Sequence, residues 1–249
     1  MTEYSTAPGP TRPAAAPEPF SRPVASAEEA WAVGPDYVTA AGKVIASHVR
    51  NELAGAVVFD EPAIAMAPGP QEKWLACRIA MEEYGHHLKF NRLAMELGLD
   101  DPRAGRALSV FDYDLRSWAE FVVLKAVVDL AEVVLMEDLV YCTYLPLRRL
   151  AERLLPEERF HVSFGRARTK EMAARPECRQ EVQAAVNALV GFTLPFFGRS
   201  RSANNELFRR WGIKRFTNDE ARRQFVDRSR SFVEQLGLDY PDVSVTWDG

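Results

Sequence analysis

From about residue 37 onward, apolar positions recur with the three-to-four spacing of helices, and no stretch alternates with period two over a useful length. The pattern predicts a first helix from about Pro35 to Phe59, closed by a loop containing Pro62, Pro68, Gly69 and Pro70. A second runs from Gln71 to Leu97 and ends at Gly98 and the Asp100-Asp101-Pro102 turn. A third runs from about Leu115 to Tyr144 and stops before Pro146. The fourth continues to about Ala174, limited by Pro176, and Pro156 inside it is expected to kink or restart the helix. Further helices fit residues 178–197 and 218–236, the last opened by a Thr217–Glu220 capping box. The predicted fold class is all-α, with a core of four long helices and additional helices toward the C-terminus.

The third helix departs from ordinary amphipathicity. Between Phe121 and Met136 every residue is apolar except Lys125, Asp129 and Glu132. These stand at i, i+4 and i+7 and form one narrow stripe. A solvent face is usually wider than this, and a helix apolar nearly all round belongs in a core. Buried carboxylates need a partner, so the stripe is expected to face a charge inside the protein.

Composition narrows the field. The chain has 249 residues, 47% hydrophobic and 27% charged, ordinary values for a globular protein, and a formal charge of −4. That balance argues against nucleic acid as a partner. Residues 1 to about 30 hold Pro8, Pro10, Pro13, Pro17, Pro19 and Pro23 among small residues and are expected to form a flexible arm, leaving residues 31–249 as one helical domain. Cys77, Cys142 and Cys178 form no CxxC pair and are expected to be small buried hydrophobes. No signal segment opens the chain, and the longest apolar stretch is interrupted by charges. A soluble cytoplasmic protein is expected, with no membrane partner.

The chemistry concentrates in a repeated spacing. Two of the four histidines end the same short pattern, Glu83-Tyr84-Gly85-His86 and Glu158-Arg159-Phe160-His161. At i and i+3 on a helix, Glu and His project together and can grip metal ions. Each pair follows a lone carboxylate at a similar distance: Glu52 lies 31 residues before Glu83, and Asp129 lies 29 before Glu158. A helix, a turn and an antiparallel helix bring each to its partner's depth. The chain therefore reads as two helical hairpins, each giving one carboxylate and one Glu-x-x-His. This donor set resembles that of ferritin-like di-iron carboxylate bundles, and four carboxylates with two imidazoles suit iron or manganese. Glu132 shares the stripe with Asp129 and competes for its role. His48, one turn before Glu52, is a candidate to hydrogen-bond a ligand carboxylate. Glu82 and His87 are turned about 100° from the pair and fall outside the ligand set.

Several segments carry a closer resemblance. They are Glu52-Leu53-Ala54-Gly55, Glu83-Tyr84-Gly85-His86, Ser117-Trp118-Ala119, Val128-Asp129, Glu157-Glu158-Arg159-Phe160-His161, Ile213-Lys214-Arg215-Phe216-Thr217-Asn218-Asp219-Glu220 and Gln224-Phe225-Val226-Asp227. Over about residues 35–245 the chain resembles the catalytic subunits of multicomponent phenylacetyl-coenzyme A epoxidases. The resemblance implies two iron ions on Glu52, Glu83, His86, Asp129, Glu158 and His161, favouring Asp129 over Glu132. It further implies an oxygenase acting on an aromatic or unsaturated acyl-CoA thioester with O2, a non-catalytic helical partner subunit in an oligomer, and a separate flavin and iron–sulfur reductase. Ile79 stands where the family's lysine is expected, and apolar Leu135 and Met136 replace polar residues. The chain also stops where those subunits continue. These departures point to a diverged relative and keep a second reading open: a stand-alone hydroxylase, desaturase or N-oxygenase of secondary metabolism. Iron oxidation or storage, or peroxide handling at manganese, is a third.

Overall fold

The computed structural model describes residues 18–248 of the chain. Helix α1 spans Ala27–Val33 and α2 spans Pro35–Gly55. Between them Gly34 sits at φ +137°, a conformation costly for any side chain, and Pro35 opens α2 at its first position. The chain continues from α2 through a π-helical turn, Ala56–Asp60, into α3, Glu61–Met66. Helix α4 spans Pro70–Leu97 and is closed by Gly98 in the left-handed conformation. Helix α5 spans Trp118–Leu139, with the Ser117 hydroxyl accepting from the Glu120 amide at its N-terminus. Helices α6 (Leu145–Ala173), α7 (Pro176–Thr193), α8 (Ala203–Arg210) and α9 (Asn218–Gln235) complete the chain. The Thr217–Glu220 capping box that opens α9 is formed in full.

Two hairpins, α2–α4 and α5–α6, make the ferritin-like four-helix core, and α4 also packs on α6. Helix α5 lies deepest, packed against α6, α7 and α9, and its apolar residues from Phe121 to Met136 are all buried. Its contact with α6 is close enough to require glycine. A Cβ built on Gly165 meets the Ala126 nitrogen at 2.3 Å. No strand forms among the described residues, which hold only an isolated parallel bridge between Val24 and Tyr144.

Several boundaries differ from the sequence expectation. Of the expected arm, residues 1–17 lie outside the described residues, whereas residues 18–30 are docked. Val24 exchanges backbone hydrogen bonds with Thr143 and Leu145 (2.9 Å each), and Phe20 packs on Tyr37 and Trp211. A proline-rich composition did not reveal this, because the docking uses backbone pairing and one aromatic ring. Helix α6 runs through Pro156 without restarting. Cys142 is buried as expected, but Cys77 is exposed and Cys178 half-buried. No helix among the described residues is long and apolar enough to cross a membrane.

Candidate metal centre

The two hairpins bring all six expected donors to one buried place. Glu52, Glu83, His86 and Glu158 form one group whose donor atoms lie within 4.8 Å of one another. Glu83, Asp129, Glu158 and His161 form a second with the same spread. Glu83 and Glu158 belong to both, as carboxylates between two ions would. The His86 Nδ1 atom lies 2.8 Å from Glu158 and 3.6 Å from Glu52 and Glu83. The His161 Nδ1 atom lies 3.1 Å from Glu83, 3.6 Å from Glu158 and 3.8 Å from Asp129. Asp129, not Glu132, enters the His161 group. Glu132 instead meets His48 at 3.1 Å, and His48 also approaches Glu52 at 3.6 Å. The His48 ring stacks on Phe90 with centroids 4.5 Å apart. Burial opposes its protonation, but Glu132 and Glu52 outweigh that and push its pKa up to about 9.

The outer nitrogens of the two central imidazoles are held in a crossed arrangement. His86 Nε2–H, from α4, donates to Glu157 of α6 at 2.7 Å. His161 Nε2–H, from α6, donates to Glu82 of α4 at 2.9 Å. An ionised carboxylate can only accept, so each Nε2 carries the proton. In a neutral ring Nδ1 then keeps its lone pair, and that lone pair points into the acidic cluster. Both Nδ1 atoms, with Oε1 of Glu52, Oδ2 of Asp129 and Oε1 of Glu158, are buried and make no hydrogen bond. Acceptors facing acceptors in a buried site require a cation or extra protons. This donor set fits a pair of divalent iron or manganese ions.

The pKa directions describe the same imbalance. Burial raises Glu52 to about 7, and it raises Asp129 well above the usual carboxylate range. Burial also works against Glu83, but the Lys125 ammonium and both histidines hold it well below its ordinary value. Burial disfavours charge on His86 and His161, yet the facing carboxylates push both upward. Protons gathered on such a cluster must leave when metal enters.

Two contributors had little or no sequence signal. Asp60 is wholly buried on the π-helical turn, and Lys125 from α5 reaches it at 2.8 Å. Lys125 also reaches Asp129 at 3.1 Å and Glu83 at 3.3 Å. The narrow stripe on α5 announced that something faced Lys125, but nothing near Asp60 marked it. The outer pair was legible: each Glu-x-x-His is preceded directly by another glutamate, Glu82 or Glu157. His87 serves the scaffold, its Nδ1 lying 2.8 Å from the Val49 carbonyl of α2.

A cavity of about 40 Å³ adjoins the cluster, walled on its apolar side by Phe59, Phe111, Val128 and Phe196. An open pocket of about 440 Å³ shares Asn51, Glu132 and Phe196 with it. Lys43, Arg50 and Lys214 line this outer pocket, as does Leu135; Met136 is fully buried and does not.

Comparison with known proteins agrees with this geometry. Residues 24–249 match the family model described as phenylacetic acid catabolic protein. The chain is similar to one of the subunits of the 1,2-phenylacetyl-CoA epoxidase of Escherichia coli (strain K12). The two are 32% identical over 216 residues, spanning 82% of this chain and 69% of that protein. A match across nearly the whole folded region, with all six donors gathered at its centre, makes this chain a member of the phenylacetic acid catabolic protein family.

Proposed function

We propose that the chain is the oxygen-activating subunit of a non-haem di-iron monooxygenase. Glu52, Glu83, His86, Asp129, Glu158 and His161 hold the two irons. Its substrate is an aromatic or unsaturated acyl thioester of the phenylacetyl-CoA type. When bound, the iron pair supplies the electrons that reduce O2, so that one oxygen atom enters the substrate and the other leaves as water. An electron pair from a separate flavin and iron–sulfur reductase restores it.

The protein's own residues prepare that chemistry. Glu82 and Glu157 keep the proton on each Nε2 and aim each Nδ1 inward. Phe59, Phe111, Val128 and Phe196 exclude water and receive an apolar group beside the cluster. Lys43, Arg50 and Lys214 give the outer pocket a basic lining suited to the anionic end of a thioester carrier. On the outer face of α4, exposed Trp74, Met81, Leu88 and Met95 recur every seven residues. That period suits packing against another helix and supports a helical partner subunit.

The observation that carries the proposal is the set of buried Nδ1 and carboxylate oxygens that meet in the cluster without hydrogen-bond partners. Iron analysis of purified protein tests it, together with oxygen uptake in the presence of reductase and phenylacetyl-CoA. The expected results are two irons per chain and a product heavier by one oxygen atom. No oxygen uptake by iron-loaded, reduced protein with any of a panel of acyl thioesters overturns it. Leu135 in the outer pocket favours a second reading, a stand-alone hydroxylase, desaturase or N-oxygenase with a different substrate. Turnover without any second helical subunit marks that case.

A further inference from the structure

The two donor groups share Glu83 and Glu158 and each has one histidine and one further carboxylate, yet their surroundings differ on one side. Lys125 donates a hydrogen bond to Glu83 and forms ion pairs with Asp60 and Asp129. Among the ion pairs of the described residues it reaches neither Glu52 nor Glu158. Its ammonium therefore meets two donors of the His161 group, Glu83 and Asp129, but only the shared Glu83 of the His86 group. Lys125 is 2% exposed, so its ammonium is closed off from solvent. A Cβ on Gly165 of α6 meets the Lys125 Cβ at 2.8 Å, so the two helices close on it there. Asp60 holds the ammonium from the far side, on the π-helical turn that follows α2. The matching position of the first hairpin, one turn before Glu52, holds His48, an imidazole that lies farther from its donor, 3.6 Å from Glu52, and nearer to Glu132, at 3.1 Å; Ile79, one turn before Glu83 on α4, is fully buried and apolar.

We propose that Lys125 is a built-in cation that makes the two metal positions unequal. It weakens the position bounded by Glu83, Asp129, Glu158 and His161 relative to the one bounded by Glu52, Glu83, His86 and Glu158. The inference rests on the two-metal reading above. An incoming ion at the His161 position must share Glu83 and Asp129 with a fixed positive charge, and like charges at this range repel strongly in a buried site. An ion at the His86 position shares only Glu83 with that ammonium, and at Glu52 it meets the more distant His48 ring, 3.6 Å away. Loading is then ordered, the His86 position filling first. Asp60 limits the penalty by drawing the ammonium outward. Lys125 is thus a positioning residue for Glu83 and Asp129 and sets the spacing between two binding steps.

Anaerobic calorimetry of metal-free protein titrated with Co(II), read in parallel by visible absorption, separates the steps. Wild type is expected to bind two ions with affinities at least about tenfold apart. Lys125→Met is expected to tighten the weaker step by about tenfold or more and leave the stronger within about threefold. Asp60→Asn is expected to weaken the weaker step further, since the ammonium then leans wholly on Glu83 and Asp129. His161→Ala should erase the weaker step alone. An unchanged separation in Lys125→Met, or a loosened second step, overturns the proposal. If that variant does not fold, Asp60→Asn decides, and an unchanged or narrowed separation there is equally fatal. Wild type that binds no metal sinks the two-metal reading itself, whereas two indistinguishable steps sink only the role given to Lys125.

Discussion

The two hairpins supply matching donors from opposite surroundings. In the second, α5 is sheathed by α6, α7 and α9, and its backbone meets Gly165 of α6 too closely for any side chain there. In the first, α4 keeps one long face toward solvent, with Trp74, Met81, Leu88 and Met95 exposed and a Cβ at Gly85 meeting only the tip of Lys89. Both hairpins place a carboxylate, a glutamate and a histidine at the same centre. Donor geometry therefore does not depend on burying a hairpin on all sides. What the sheath provides is closure around Lys125, which is 2% exposed.

Substitutions can break this comparison at several strengths. The largest effect is expected at Glu158, which belongs to both donor groups. Glu158→Ala should lower metal content from two ions to none, measured by elemental analysis, whereas Asp129→Ala should remove one. Equal losses from the two variants would show that the groups are not distinct. Next comes Gly165→Ala, where the new methyl group meets backbone. It is expected to cost about 3 kcal/mol in chemical denaturation. Gly85→Ala in the open hairpin should instead gain up to about 1 kcal/mol, since its Cβ meets only the tip of Lys89 at 3.9 Å.

A smaller contrast separates the crossed carboxylates. The Glu82 side chain is 14% exposed and Glu157 is 35% exposed. Glu82→Gln should therefore lower metal affinity more than Glu157→Gln, within a range of about 10- to 100-fold. Titration of both variants side by side ranks them, and the reverse order would detach imidazole orientation from burial. Smallest is Thr217→Ala at the α9 capping box, far from either hairpin's donors. It is expected to cost about 1 kcal/mol of stability with metal binding unchanged.

The sequence disclosed whatever depends on position along one helix. The paired Glu-x-x-His spacings, the lone carboxylates 29 and 31 residues upstream and the narrow stripe on α5 each follow from helical periodicity, and all six donors meet where that periodicity places them. What it withheld depends on contact between elements. That His86 takes Glu157 while His161 takes Glu82 is a fact about two helices facing each other, invisible in either alone. Asp60 escaped notice because a π-helical turn shifts the register by which a buried position is inferred. The docking of residues 18–30 was hidden because much of it is carried by main-chain bonds, which leave no trace in side-chain type. Pro156 lies within α6 on its exposed side, while Leu154, Leu155 and Glu158 beside it are buried and hold the helix to the core.

The crossed imidazole bonds also bear on how the enzyme is made in the cell. A nascent chain that has completed only α2 and α4 carries a histidine free to spin, because the glutamate that steadies it has not yet been synthesised. The full donor set therefore exists only once the second hairpin has docked, because the first contributes just Glu52, Glu83 and His86.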